Sequence, residues 1–217
     1  MALTTRSSRP LSRPPANSRQ QQRTEATRAK LLTAAEVIFA RDGFEGSRLE
    51  DIAAHAGYTR GAFYANFASK EDLLFALMER LVAERVQAIR EILDRQDNAA
   101  DRLHALRDYY AQIACDRRWA LLLLEFKLFA VRHPKARARL VERYRRLRAP
   151  GRELFQTLLK QLDRKLPVSS NAASIALSAL ANALLLENLM DSSALAPHEI
   201  QFLLGLFFDS LIGPHAA

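Results

Sequence analysis

The residues best equipped for chemistry in this chain of 217 residues fall in one short stretch, "GYTRGAFYANF", at 57–67. Thr59 brings a hydroxyl, Arg60 a fork of N–H donors and Tyr64 a phenol, while Gly61 and Ala62 are small enough to let another surface come close. Such groups at the start of a short helix suit hydrogen bonds to phosphate oxygens and base edges in a duplex groove. Phe63 and Phe67 carry no polar atom and are expected to face a core.

Three short helices must position these groups. The first is expected over 24–42, with Leu31, Ala35, Ile38 and Phe39 on one face and Gly43 as its stop. Ser47 and Glu50 stand at capping-box spacing, which predicts a second helix to Ala56 that Gly57 ends. Thr59 caps a third over 59–65, and Ser69 with Asp72 repeats the capping-box spacing before a long fourth helix. The second and third helices around the Gly57–Tyr58 turn make a helix-turn-helix pattern, and an exposed third helix is the element that enters a major groove.

Charge is distributed unevenly. Residues 1–23 hold five arginines and no acid, residues 24–85 hold eight basic against ten acidic groups, and "KARARLVERYRRLRAPGR" at 135–152 holds eight basic groups and one acid. The first segment, rich in Pro, Ser and Gln, reads as a disordered basic arm. It is a candidate electrostatic supplement to a domain that lacks the basic excess of a duplex binder. The second basic block reads as the solvated face of an amphipathic helix, with Leu140, Tyr144 and Leu147 on the other side.

Other chemistries find little support. His55, His104, His133, His198 and His215 are too dispersed for a metal site, Cys115 is the single cysteine, and no phosphate loop, nucleophile elbow or carboxylate pair stands out. We therefore expect no enzyme, no metal and no cofactor. The longest apolar run noted, "WALLLLEFKLFAV", is broken by Glu125 and Lys127, so no membrane span is expected and the chain should be cytoplasmic.

The run "RLEDIAAHAGYTRGAFYANFASKEDLL" at 48–74, extended back over "ATRAKLLTAAEVIFARDGFEGS", resembles the N-terminal domain of the TetR family of bacterial transcription regulators. The resemblance implies DNA contacts at Thr59, Arg60, Gly61, Tyr64 and, at the start of the fourth helix, Lys70. Arg48, at the positive end of the second helix, is added as a phosphate contact. Tyr58 and Asn66 depart from the family pattern and receive no role.

Beyond residue 95, Leu- and Ala-rich helices are expected over about 99–115, 118–131, 135–163, 170–190 and 197–212. The last two are apolar on more than one face, which suggests burial against a second copy of the chain. Small residues at 172, 173, 176, 179, 183 and 205 would let such helices approach closely. The resemblance implies a small-molecule pocket lined by helices between 99 and 190, and Trp119, Phe126, Phe129, Tyr109, Tyr110, Leu123, Asn182 and Glu187 have the size or polarity to line it, without any being singled out.

The expectation is thus an all-α protein: a disordered basic arm at 1–23, a helix-turn-helix DNA-binding domain at 24–85 with its motif at 48–67, and a helical ligand-binding and dimerisation domain at 86–217. Its implied function is that of a homodimeric repressor, released from a palindromic double-stranded operator by an unknown lipophilic effector. The alternatives are an activator or a ligand-independent DNA-binding protein of the same fold.

Overall fold

The computed structural model describes residues 16–113 and 115–212, and within them every regular element is an α-helix. The order is α1 Ala16–Asp42, α2 Leu49–His55, α3 Arg60–Tyr64, α4 Lys70–Asp94, α5 Ala99–Ile113, α6 Arg117–Arg132, α7 Pro134–Gln161, α8 Ser170–Met190 and α9 Pro197–Ile212. Residues 1–15 of the expected arm, with Arg6, Arg9 and Arg13, lie outside the described residues.

The arm expectation needs correcting over 16–23, because α1 begins at Ala16 and not near Thr24. Residues 20–23 of "ANSRQQQR" are exposed, but adding a turn to an existing helix avoids the cost of nucleation, and Ala, Gln and Arg are good helix formers. Burial decides where a helix docks; propensity is enough to prolong it.

Gly43 ends α1 with φ +75° and Gly57 ends α2 with φ +76°, both in the left-handed region that glycine enters without a Cβ clash. The Ser47–Glu50 capping box does not form. Arg48 holds the N-cap position of α2 without a side-chain cap, while the Ser47 hydroxyl is buried and donates to the Phe44 carbonyl at 2.8 Å. That bond closes the turn between α1 and α2 from within. The later cap does form: Ser69 accepts the Asp72 N–H at 3.1 Å, and the Asp72 carboxylate accepts from Ala68 N–H at 3.3 Å.

Two apolar clusters organise the bundle. The first joins Leu31, Ile38, Phe39, Ile52, Phe63, Phe67, Leu74 and Leu77 to Leu122, Phe126 and Phe129 of α6 and Leu140 of α7. Each large side chain withdrawn from water contributes about 1.5–3 kcal/mol, so α6 is part of the base on which the first three helices stand. Phe44 sits at this junction, 5.5 Å from Phe39 and 4.9 Å from Phe129 between ring centres. The second cluster joins Ile89 and Leu93 of α4 to Leu106, Phe155, Leu158, Leu177, Phe208 and Ile212. Helix α4 enters both clusters.

Polar ties reinforce the same junction. Arg80 of α4 pairs with Glu36 of α1 and donates to Thr33 Oγ1 at 3.1 Å, while Arg118 of α6 reaches the other Glu36 oxygen at 3.3 Å.

Helices α8 and α9 leave large apolar side chains uncovered: Ile175, Met190, Phe202, Leu203 and Leu206. By length and composition α8, at 21 residues with mean hydropathy 1.4, is long and apolar enough to cross a bilayer, contrary to the expectation that no stretch would be. A run broken by Ser and Asn escapes a search for uninterrupted apolar residues. Two of the small residues expected at an outer interface turn inward instead. Ala173 is fully buried, and Gly205 leaves room for the Arg107 guanidinium, which pairs with Asp209 at 3.0 Å.

Candidate functional site

The turn before α3 is built by short-range bonds. The Tyr58 N–H reaches the Ala53 carbonyl at 2.8 Å, and Thr59 Oγ1 accepts the Ala62 N–H at 3.3 Å. Phe63 and Phe67 are buried with ring centres 5.8 Å apart, as expected, and they fix the orientation of the outer face. Arg28 of α1 secures the far end, donating to the Asn66 carbonyl at 2.9 Å with its guanidinium 4.1 Å from the Phe67 ring centre.

Arg48, Thr59, Arg60, Gly61 and Tyr64 all lie exposed. Arg60 pairs with Glu50 at 2.8 Å, and its guanidinium carbon is 5.5 Å from the Tyr64 ring centre. The Tyr64 hydroxyl and the Glu50 carboxylate together raise the Arg60 pKa above its ordinary value. A Cβ at Gly61 would meet only Thr59 Oγ1, at 3.7 Å, so nothing inside the protein requires glycine there; close approach by a partner is what its smallness permits.

Lys70 stands apart from the other five. Its ammonium donates to the carbonyls of Phe44 at 2.7 Å, Ser47 at 3.0 Å and Glu45 at 3.3 Å, and lies 4.6 Å from the Phe44 ring centre. All three N–H donors are engaged inside the protein, where they clamp the 44–47 loop. The two residues without an assigned role are also accounted for. Asn66 donates to the Ala62 carbonyl at 2.8 Å, and the Tyr58 hydroxyl accepts from Thr27 Oγ1 at 3.4 Å.

A cavity of about 130 Å³ opens between α4, α5, α6, α7 and α8. Of the residues named for size or polarity, Trp119, Tyr109, Tyr110 and Asn182 line it. Phe126, Phe129 and Leu123 belong to the first core instead, and Glu187 is exposed. Burial raises the Tyr109, Tyr110 and Tyr144 pKa values, which keeps all three phenols neutral. Arg85, Arg148 and Arg152 also line the cavity, and sequence reasoning missed them there. The two on α7 fell within the block read as a solvated face. Their signal was position: one turn apart, beside Pro150 and Gly151, on the Tyr144 side of the helix.

The family model for bacterial regulatory proteins of the tetR family matches residues 31–77, which include α2, α3 and the start of α4. The chain carries a TetR-family N-terminal domain. The chain is 34% identical over 79 residues to the HTH-type transcriptional repressor KstR2 of Mycobacterium tuberculosis, a match covering 36% of this chain and 40% of that one. The aligned stretch is thus well under half of the relative's length.

Solved structures extend the likeness to most of the chain, at the level of fold. The regulator FadR of Bacillus subtilis, in complex with stearoyl-CoA, superposes with a TM-score of 0.63 at 16% identity, covering 87% of this chain and 99% of that one. A candidate transcriptional regulator from Saccharomonospora viridis, in complex with choline, superposes with a TM-score of 0.65 at 21% identity, covering 85% and 96%.

Proposed function

We propose that this protein is a homodimeric, DNA-binding transcription repressor that leaves a palindromic operator when a small molecule occupies the cavity behind α4. The reading rests on one observation above all: a TetR-type domain whose exposed side chains at Arg48, Thr59, Arg60, Gly61 and Tyr64 are backed by buried Phe63 and Phe67. The DNA-binding unit extends over 24–85 and the ligand-binding, dimerising unit over 86–217. Arg48 takes a phosphate, the Thr59–Tyr64 face enters the major groove, and Lys70 supports that face by holding the 44–47 loop.

The uncovered apolar side chains of α8 and α9 meet their equivalents in a second copy, which puts two α3 helices on one side of a duplex. Operator half-sites one turn apart require these helices to lie about 34 Å apart. Helix α4 links the two cores, so a ligand that shifts its cavity-lining residues changes that spacing. A release of about 100-fold needs about 2.7 kcal/mol of coupling. The protein works in the cytoplasm, where its operator lies.

The test is footprinting of the full-length protein on the intergenic DNA beside its own gene. A protected palindrome of two half-sites one turn apart is expected. Uniform, sequence-independent protection would overturn the reading in favour of a ligand-independent coating protein.

A further inference from the structure

The cavity lining is sorted by charge in a way that its shape alone does not require. Three arginines line it, and no carboxylate does among the described residues. Arg85 is already neutralised, bonded to Asp116 at 2.8 Å and lying 4.1 Å from the Trp119 ring centre. Arg148 has only uncharged partners: it donates to Ser174 Oγ at 2.6 Å, and its guanidinium carbon lies 5.4 Å from the Tyr144 ring centre. Arg152, one turn further along α7, makes no ion pair among the described residues.

Two like charges four residues apart repel, and the repulsion grows as water is excluded. The surroundings register the excess. Partial desolvation and then the Arg148 charge pull the Lys127 ammonium below its ordinary pKa. The apolar part of the lining comes from Val82, Val86 and Ile89 of α4 and Leu177 and Leu185 of α8. A lining that combines these apolar side chains with two guanidinium groups that have no carboxylate partner among the described residues matches a ligand with one apolar and one anionic end.

We propose that the cavity binds an amphiphilic carboxylate, with its aryl or alkyl body against the α4 and α8 wall and its carboxylate between Arg148 and Arg152. The inference builds on the reading of this bundle as the effector domain and adds the charge class of the effector. Related folds hold stearoyl-CoA in one case and choline in another, so the fold does not choose the ligand and the lining residues must. Tyr109, Tyr110 and Trp119 would suit a quaternary ammonium as well as an aryl group, but the unpaired arginines repel a cation.

Trp119 is the single tryptophan of the chain and lines the cavity, so its fluorescence reports occupancy without any DNA present. The full-length protein is titrated with phenylbutyrate, the corresponding phenylbutanol and the corresponding phenylbutylamine, which share a body and differ in headgroup charge. The carboxylate should bind about tenfold or more tightly than the alcohol, with the amine weakest. Arg148→Gln and Arg152→Gln should each erase most of that preference, Arg148→Lys should keep most of it, and Arg139→Gln, on the exposed side of α7, should leave it unchanged.

If Arg148→Gln unfolds for want of its Ser174 bond, Arg152→Gln, which removes no hydrogen bond or ion pair among the described residues, carries the test. The proposal is overturned if the alcohol or amine binds as tightly as the acid, or if the preference survives in Arg152→Gln. It is equally overturned if phenylbutyrate leaves Trp119 fluorescence unchanged up to about 10 mM. Because no operator enters the assay, a failure here leaves DNA binding standing, and a failed footprint leaves this result standing.

Discussion

The carboxylate of Glu125 on α6 accepts the backbone N–H of Phe44 at 2.9 Å, joining residues 81 positions apart at the turn that ends α1. A side chain from the second half of the chain thus supplies the partner that this turn of the TetR-type domain needs. Truncating it strands a partly buried N–H, so Glu125→Ala should destabilise the protein by about 1–3 kcal/mol in urea denaturation. Glu125→Gln retains an acceptor oxygen and should cost clearly less. Equal losses for the two variants would show that the acceptor at this position contributes nothing.

The two left-handed glycines should rank in a set order. Around Gly57 no atom lies within 4 Å of an added Cβ, so Gly57→Ala should cost only the backbone term, about 1 kcal/mol. At Gly43 the new Cβ would also stand 3.2 Å from a Glu125 oxygen and disturb the bond to Phe44. Gly43→Ala should therefore lower the urea midpoint further than Gly57→Ala; the reverse order would contradict the placement of Glu125.

Arg60 and Lys70 should separate when stability and DNA binding are measured together. Arg60 is exposed, with an ion pair to Glu50 of the solvent-screened kind, so Arg60→Ala should leave thermal unfolding unchanged. Its operator affinity, read by fluorescence anisotropy, should nevertheless fall about tenfold. Lys70→Met removes three charge-assisted bonds to the 44–47 loop and should cost about 1.5–3 kcal/mol of stability, with weaker DNA binding as a consequence. Unimpaired folding of Lys70→Met would return Lys70 to the role of a direct phosphate contact.

Phe202 and Leu206 are 65% and 55% exposed and one turn apart on α9, an arrangement costly to leave in water. Introducing Asp at both positions should halve the mass measured by light scattering and abolish binding to a two-half-site operator, while leaving the helical circular dichroism signal intact. An unchanged mass would place the dimer contact elsewhere.

The helix-turn-helix was legible because everything that specifies it is local. Gly43 and Gly57 at the stops, Thr59 and Ser69 at the caps, and the alternation of Phe63 and Phe67 with Thr59, Arg60 and Tyr64 act within a turn or two of chain. The later helices were legible from the same periodicity, to within a few residues. The start of α1 was misplaced because burial was used as the criterion for a segment that is helical although its residues 20–23 are exposed.

The remaining assignments depended on distant partners. An amphipathic pattern says that a helix has two faces, but not which neighbour covers each one. The same arginine-rich helix α7 sends Arg143 to Glu79 of α4 and leaves Arg139 in solvent, whereas Arg148 and Arg152 line the cavity. Ser47 fitted a cap by spacing, and the family resemblance implied a DNA contact for Lys70. Packing of the Phe44 loop against α4 and α6 gave both of them carbonyl oxygens instead. Local spacing is enough to choose helices, turns and an outward-facing α3, because those choices are made within a few residues. Which polar groups remain free for a ligand or a duplex is settled by contacts between helices tens of residues apart.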